Sequence, residues 1–251
     1  KGLFTKEIEE ALLARRIDLA VHSLKDLPTF LPDGLALGAH LPREDPRDAW
    51  FSPQSSRLSA LPPGARIGTS SPRREAQLRH ARPDVEIVPL HGNVETRLRK
   101  LEAGEVDATL LAVAGVKRLG LARRITAILS PEEMLPAAAQ GAIGVEIRAG
   151  DAASRALVAA IDDAQTAARV TAERAVLAAL GGSCRTPIAA LAEIGADGAL
   201  LLRAMIIRPD GSERLLAERR GPVAAAGALG HDAGSELRRR AGPGFFAEEP
   251  A

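Results

Sequence analysis

The sequence predicts a protein of the α/β class that ends in a small α+β part. Between residues 65 and 114, apolar runs typical of buried strands alternate with helical patterns, which implies a largely parallel sheet. After residue 187 the pattern changes to three strands joined by turns, followed by a helix at about 231–240. A chain of 251 residues is long enough for two or three domains.

Local signals place the elements along the chain. Thr5 can cap a first helix, in which Ile8 and Leu12 share one face. The predicted strands lie at 17–21, 35–41, 65–69, 85–90, 107–114, 142–147, 188–194, 200–207 and 213–219. The further predicted helices lie at 70–82, 94–103 and 151–180. We expect the strand at 142–147 to lead back to the first sheet.

These elements group into three expected domains. Domain 1 comprises residues 1–41 and 142–160, domain 2 residues 46–136, and domain 3 residues 164–251. The charged run at 43–48 is expected to cross between the first two. Because the chain opens in mid-pattern at Lys1, we expect a first strand and helix of domain 1 to be missing upstream, and their restoration to stabilise the protein.

Composition excludes several classes of function. The formal net charge is +1 and aromatic residues make up only 2% of the chain, which argues against nucleic-acid binding through a basic surface or base stacking. No apolar run approaches the roughly 18 residues that a membrane span needs. Spacings typical of a Ser-His-Asp triad, a zinc site or a P-loop are absent, so we expect no metal. We expect a cytoplasmic monomer.

The end of the first strand carries a polar cluster. Ser23, Lys25 and Asp26 follow the apolar run, and Pro28 cannot continue a sheet ladder. Ligands of open α/β sheets bind at the carboxyl ends of strands. A neighbouring ammonium favours the ionised form of a carboxylate, which could hold N–H donors or a developing cation. Alternatively, this stretch is a turn with a surface Lys–Asp pair.

The strongest local signal is the run Thr69-Ser70-Ser71-Pro72-Arg73-Arg74. Ser71 suits a helix N-cap, and Pro72 suits the first helical position. Free backbone N–H groups at such a helix end attract anions, and arginines can fork onto a carboxylate or a phosphate. The alternative is a capped helix whose arginines are solvated.

The next strand-to-helix turn repeats this pattern more weakly. It contains His91, Gly92 and Asn93, and Arg97 lies one turn into the following helix. A Gly-Asn turn before a helix is ordinary by itself. Three strand ends that carry Ser, Lys or Arg nevertheless predict a cleft for a multiply anionic ligand, in which Asp26 is the odd negative group.

The one cysteine of the chain, Cys184, allows no internal disulfide and follows two glycines after a long helical pattern. A lone cysteine is usually a small buried hydrophobe. The glycines favour the opposite interpretation, because they let a loop expose the thiol and bring its backbone close to a ligand.

Taken together, these stretches resemble the porphobilinogen deaminase family. The matching pieces follow the family order and lie at residues 1–4, 22–26, 43–48, 68–74, 92–94, 96–98, 111–115, 140–141, 171–174, 181–184 and 187–188. The resemblance covers essentially the whole chain, and as a set its motifs are highly specific.

The resemblance implies a fold and an activity. The fold would have two α/β domains similar to periplasmic binding proteins and a small α+β C-terminal domain that carries the cofactor cysteine. The activity would be that of a transferase that condenses four porphobilinogen molecules head to tail in tetrapyrrole (porphyrin and haem) biosynthesis. Ammonia would be released at each condensation, and linear hydroxymethylbilane would be released by hydrolysis. The cofactor would be a dipyrromethane held by a thioether to Cys184.

The resemblance also implies roles for individual residues. Asp26 matches the catalytic aspartate, which contacts pyrrole N–H groups. The residues at cofactor-binding positions are Ser23, Lys25, Thr69, Ser71, Arg73, Arg74 and Cys184. The residues at substrate-binding positions are Lys1, Phe4, His91, Gly92, Asn93 and Arg97. His91 stands where the family pattern has Arg, and a neutral imidazole is a weaker partner for a carboxylate.

Two other functions remain compatible with the residues alone. A non-catalytic protein that binds a small anion between two domains would need the arginine-rich strand ends but neither Cys184 nor Asp26. An interaction domain would use the same arginines to bind an acidic partner. A covalently modified protein mass would favour the enzyme over both.

Overall fold

Three sheets organise residues 2–182 and 186–246, which the computed structural model describes, with backbone only for residues 2–4. The strands are β1 (Leu19–Ser23), β2 (Leu35–His40), β3 (Asp48–Phe51), β4 (Arg66–Gly68), β5 (Glu86–Val88), β6 (Ala108–Ala112), β7 (Ala127–Ile128), β8 (Ile143–Arg148), β9 (Ile188–Ile194), β10 (Ala199–Ile207) and β11 (Arg214–Pro222). The helices are α1 (Gly2–Leu13), α2 (Pro72–Ala81), α3 (Val94–Glu102), α4 (Val113–Arg118), α5 (Ala152–Val158), α6 (Ala164–Leu180) and α7 (Ala226–Ala241). The predicted α/β class is confirmed.

The first sheet has the order β1-β8-β2, and β8 runs antiparallel to both neighbours. The prediction that the chain returns to this sheet after residue 142 is confirmed. β1 lies at an edge of the sheet, and its Val21 side chain is 61% exposed. α1 packs on one face of the sheet through the buried Leu12, which contacts Ala20 and Leu35.

The second sheet has the order β5-β4-β6-β3-β7 and is mixed. β4 pairs in parallel with β5 and β6, as the alternation of strands and helices predicts. β3 pairs antiparallel with β6 and β7, and the sequence analysis missed it because all four of its residues are buried and show no alternation. The segment that was expected only to cross between domains therefore leads directly into this sheet, because its last residue, Asp48, is the first residue of β3.

The third sheet, in the order β11-β10-β9, is antiparallel and confirms the predicted small α+β part. One face is covered by α6 and α7, whose Val176 and Leu237 pack with Leu200 and Leu202 of β10. The two helices approach closely at Gly230, where a Cβ would overlap the carbonyl oxygen of Ala172. No helix of residues 2–182 and 186–246 is long and apolar enough to pass through a bilayer.

Several helix boundaries differ from their predictions. α1 begins at Gly2, before the expected cap at Thr5. The pattern at 151–180 was expected to be continuous, but it is divided into α5 and α6 because Asp163 caps a new helix by accepting a bond from the Thr166 N–H, 2.7 Å away. α7 begins at Ala226 rather than at about residue 231.

The carboxylate of Glu173, on α6, joins three separate segments of the chain. It accepts two bonds from the Arg43 guanidinium, at 2.6 and 3.0 Å. It also accepts the backbone N–H groups of Ala139 and Ala192, at 2.6 and 2.7 Å. Glu173 is fully buried, so these four donors replace the water that the charge has lost. The two crossings between the first and second sheets and the start of the third sheet are thereby tied to one helix.

We expect Glu173→Gln to lower the free energy of unfolding by roughly 3–5 kcal/mol, because it leaves Arg43 buried without a counter-charge. Urea unfolding followed by far-ultraviolet circular dichroism measures this loss. The matched control is Glu102→Gln, which removes an exposed ion pair with Arg124 and is expected to cost far less. Equal losses for the two variants would contradict a central role for Glu173.

Candidate active site

The turn after β1 presents polar side chains because two leucines hold it in place. β1 ends at Ser23, and the Asp26 N–H donates to the Ser23 carbonyl oxygen at 3.0 Å. Leu24 and Leu27 are buried, whereas Ser23 and Asp26 are exposed and Lys25 is half-buried. The side chain of Asp26 has no hydrogen-bond or ion-pair partner among the described residues, so its carboxylate is available to a ligand.

The turn between β4 and α2 is organised by hydroxyl groups, as the sequence predicts. Ser71 is the N-cap of α2 and accepts a bond from the Arg74 N–H, and Pro72 is the first residue of the helix. The buried Thr69 hydroxyl accepts the Ser71 N–H at 3.2 Å. The hydroxyl of Ser70, in the same turn, accepts the Leu90 N–H at 3.1 Å and thereby links this strand end to the next one.

The turn before α3 contacts Ser70 as well. Nδ1 of His91 lies 3.2 Å from the Ser70 hydroxyl oxygen. Asn93 caps α3 by accepting the Thr96 N–H at 2.8 Å, and the Arg97 guanidinium donates to the Gly92 carbonyl oxygen at 2.9 Å. Two of the predicted strand ends are therefore in direct contact.

Arg73 and Arg74 are buried, and both bind the carboxylate of Asp48 at the start of β3. Arg73 Nη2 lies 2.8 Å from Asp48 Oδ2, and Arg74 Nη2 lies 2.8 Å from Asp48 Oδ1. The other terminal nitrogens donate to the carbonyl oxygens of Leu135 and Leu110. The alternative in which these arginines are solvated is therefore wrong.

Asp48 is a site residue that the sequence analysis missed. Burial by itself would raise the pKa of its carboxyl group, but Arg73 and Arg74 outweigh this effect and hold the pKa far below its usual value. Gln140 adds a further bond from Nε2 to Asp48 Oδ1 at 2.9 Å. One carboxylate cannot neutralise two guanidinium groups, so the assembly keeps a net positive charge. The Nε atoms of both arginines are buried without a partner among the described residues.

Lys25 brings the first strand end close to this assembly. Its pKa is lowered to about 8, first by burial and then by the positive charge of Arg74, while Asp26 and Asp48 act in the opposite direction. The pKa of Arg97 is also lowered, first by burial and then by Arg74. We call Lys25, Arg73, Arg74 and Arg97 the basic cluster.

The predicted residues divide into three groups. Electrostatic or direct contacts bring together Lys25, Asp26, Thr69, Ser70, Ser71, Arg73, Arg74, His91, Gly92 and Arg97. In the described part of the chain, Ser23 and Asn93 join this group only through bonds within their own turns. Lys1 and Cys184 lie outside the described residues, and Phe4 is described only as part of the α1 backbone. Among the residues that the structure describes, no group of three or more His, Cys, Asp or Glu side chains could hold a metal ion.

The strand ends of two sheets thus form a basic region that also contains Asp26, an acid without a side-chain partner in the part of the chain that the structure describes. Residues 1–156 match the family model described as "Porphobilinogen deaminase, dipyromethane cofactor binding domain", and residues 167–239 match "Porphobilinogen deaminase, C-terminal domain". This chain belongs to the porphobilinogen deaminase family. Cys184 lies within the second match, whereas the basic cluster and Asp26 lie within the first.

Curated relatives carry the same family name. The chain is 57% identical over 246 residues to the porphobilinogen deaminase of Paracoccus denitrificans, covering 98% of this chain and 78% of that protein. It is 55% identical over 246 residues to the porphobilinogen deaminase of Nitrobacter hamburgensis, with the same coverage of 98% and 78%.

Solved structures with detectable similarity are more distant. They include a periplasmic substrate-binding protein of an ABC transporter from Coxiella burnetii, at 19% identity and a TM-score of 0.42, covering 61% of this chain and 74% of that one. They also include a nutrient-binding protein from Burkholderia cenocepacia bound to methionine, at 15% identity and a TM-score of 0.42, covering 60% of this chain and 73% of that one.

The lowered pKa of Asp48 makes stability depend on acid pH. Because the folded pKa lies below the unfolded value of about 4, the contribution of Asp48 is present above that value and is lost as the pH falls through the folded pKa. We expect Asp48→Asn to be less stable by roughly 3–5 kcal/mol at neutral pH, since two buried guanidinium groups lose their counter-charge. The difference from the wild type should shrink below about pH 4.

Urea unfolding at a series of pH values measures this difference. The control is Asp84→Asn, which removes the charge of an exposed ion pair with Arg82 and leaves the buried assembly intact. A difference between Asp48→Asn and the wild type that stayed constant across the acid range would show that the charge of Asp48 does not stabilise the fold.

Proposed function

We propose that this protein is a hydroxymethylbilane synthase that condenses four porphobilinogen molecules head to tail and releases linear hydroxymethylbilane. The observation that carries this proposal is the carboxylate of Asp26, which lies beside the basic cluster without a side-chain partner among the described residues, in a chain of the porphobilinogen deaminase family. The alternative, a non-catalytic anion-binding protein, explains the basic cluster but gives no role to Asp26. We further propose that the protein is a cytoplasmic monomer with the three domains expected from its sequence.

The dipyrromethane cofactor fits the charges of this site. Dipyrromethane made from porphobilinogen carries acetate and propionate groups, and these carboxylates need charged donors. The basic cluster has spare donors, because the Nε atoms of Arg73 and Arg74 are unpartnered and Lys25 has no hydrogen-bond partner among the described residues. We propose that Ser23, Lys25, Thr69, Ser71, Arg73 and Arg74 hold the cofactor, which is attached to Cys184. When bound, the dipyrromethane supplies the pyrrole terminus to which substrate is added.

Substrate carboxylates would be held by the remaining polar groups of the strand ends. Arg97 is half-buried and donates only through Nε to the Gly92 carbonyl oxygen, so its terminal nitrogens are available. We propose that Arg97, His91, Gly92 and Asn93 bind porphobilinogen there. Lys1 and Phe4 remain proposed contacts from the family resemblance. His91 is an exposed imidazole bonded to Ser70, and it is the weakest anion partner of this set unless it is protonated.

Asp26 would act on the positive charge of the reaction. Loss of ammonia from porphobilinogen breaks the aminomethyl C–N bond and leaves an electron-poor azafulvene-type cation. A fixed carboxylate that is not already paired can stabilise this cation and accept pyrrole N–H bonds, and it needs no reorganisation when the charge develops. The basic cluster cannot do this, so the two charge types have separate roles: cations bind the side-chain carboxylates, and Asp26 stabilises the reacting centre.

We expect Asp26→Asn to lower the single-turnover rate by about 100-fold or more, with a much smaller change in porphobilinogen binding. Asparagine keeps the size and one acceptor but removes the charge that interacts with the transition state. Asp26→Glu keeps the charge in a displaced position and should retain a small residual rate. Rapid-quench measurement of ammonia release tests both variants, with Asp33→Asn, an acid in the following loop, as control. A near-normal rate for Asp26→Asn would reduce Asp26 to a positioning residue.

The mass of the protein tests whether the cofactor is attached covalently. Intact-mass spectrometry of the denatured protein should show a covalent adduct, and peptide mapping should place it on the peptide that contains Cys184. Cys184→Ser should abolish the adduct, because a hydroxyl is a poorer nucleophile than a thiol. An active protein with only a free thiol at Cys184 would remove the dipyrromethane from the proposal.

A further inference from the structure

The Arg174 side chain, on α6, hydrogen-bonds to the backbone of the residues that follow Asp26. Its Nη2 donates to the carbonyl oxygens of Pro28 and Thr29, at 2.6 and 3.0 Å, and its Nη1 lies 3.5 Å from the Leu27 carbonyl oxygen. A planar guanidinium with several fixed donors can hold successive carbonyl groups at once, which a lysine ammonium cannot match in geometry. Among the described residues Arg174 forms no ion pair, although the charge of Glu146 acts on it, so backbone carbonyls are its hydrogen-bond partners.

A second bond ties the same turn to the end of α6. The Thr29 hydroxyl donates to the Gly182 carbonyl oxygen at 2.9 Å. Gly182 is itself fixed, because its N–H donates to the Leu177 carbonyl oxygen at 3.0 Å and a Cβ at this position would overlap the side chain of Ile188. In the sequence, Gly182 lies two residues before Cys184.

Apolar contacts hold the other side of the turn. Leu24 and Leu27 pack against Val170, which lies one helical turn before Arg174 on α6. Asp26 is between these two leucines and has no side-chain partner of its own among the described residues. The position of its carboxylate therefore depends on the backbone of the turn, and α6 determines where that backbone lies.

We propose that Arg174 and Thr29 are positioning residues that hold the Asp26 turn at a fixed place relative to the end of α6, from which the chain continues to Cys184. This inference rests on the proposed function, in which Asp26 acts on the pyrrole chain that extends from the dipyrromethane on Cys184. A displacement of about 1 Å at a reacting group can cost about 100-fold in rate. The two side chains thus control catalysis without contacting the substrate.

The test compares Arg174→Met, Arg174→Lys and Thr29→Val with the wild type. We expect single-turnover rates to fall by about tenfold or more while the KM for porphobilinogen changes by less than about threefold, because the turn moves while Arg73, Arg74 and Arg97, which lie on other elements, do not. Arg174→Lys should recover only part of the rate, since one ammonium replaces a forked donor. The control is Arg155→Met, an exposed arginine that donates to the nearby Ala149 carbonyl oxygen.

A double-mutant cycle separates positioning from general destabilisation. If Arg174 and Thr29 act through Asp26, their substitutions should slow the Asp26→Asn variant very little. An equal fold-loss in the wild-type and Asp26→Asn backgrounds would overturn the inference, as would normal rates for both Arg174→Met and Thr29→Val. Thr29→Val decides the outcome if Arg174→Met fails to fold, because it removes a single hydroxyl. A normal rate for Asp26→Asn alone would instead remove the proposed catalytic role of Asp26, on which this inference rests.

Discussion

A single buried carboxylate, that of Glu173, is the interaction on which the arrangement of the sheets depends. It accepts four hydrogen bonds from the two crossings between the first and second sheets and from the third sheet. A buried charge is stable only when hydrogen bonds and a counter-charge replace its lost hydration. The loss of any of these donors would therefore lower the free energy of unfolding. Because Glu173 lies on α6, this helix acts as a common support for all three sheets.

The same logic operates at Asp48, with a different consequence. There one buried carboxylate binds two guanidinium groups. Its charge is fully neutralised, whereas one positive charge remains and the two Nε atoms have no partner among the described residues. The surplus positive charge lies next to Lys25 and Arg97, whose pKa values are both lowered. The protein therefore orders its arginines with an internal acid and still keeps charge available for an anionic ligand. Freely rotating surface arginines would lose side-chain entropy on binding, whereas these are already fixed.

The proposed catalytic acid follows a third pattern. Within residues 2–182 and 186–246 the side chain of Asp26 has no partner, whereas the turn around it is held by several contacts. The buried Leu24 and Leu27 anchor the turn in the core. Arg174 binds the backbone that follows it, and the Thr29 hydroxyl binds the Gly182 carbonyl oxygen. The side chain is thereby directed by contacts that do not consume its own hydrogen-bonding capacity. A carboxylate that is both fixed and unpaired is well suited to stabilise a cation.

The sequence by itself determined the start of α2, the strand that returns to the first sheet, and the family. Ser71 and Pro72 start α2 as predicted because capping needs only residues within one turn, and the strand at 142–147 was recognised from its apolar run. Only the tertiary structure decided which acid Arg73 and Arg74 bind, since Asp48 is 25 positions from Arg73 and belongs to a strand without alternation. It also decided that Glu173 and Arg174, neighbours in one motif, act on different segments: one lies in the buried centre and the other faces the Asp26 turn. Such long-range pairings depend on which elements pack together, and the local pattern of residues carries no signal of that packing.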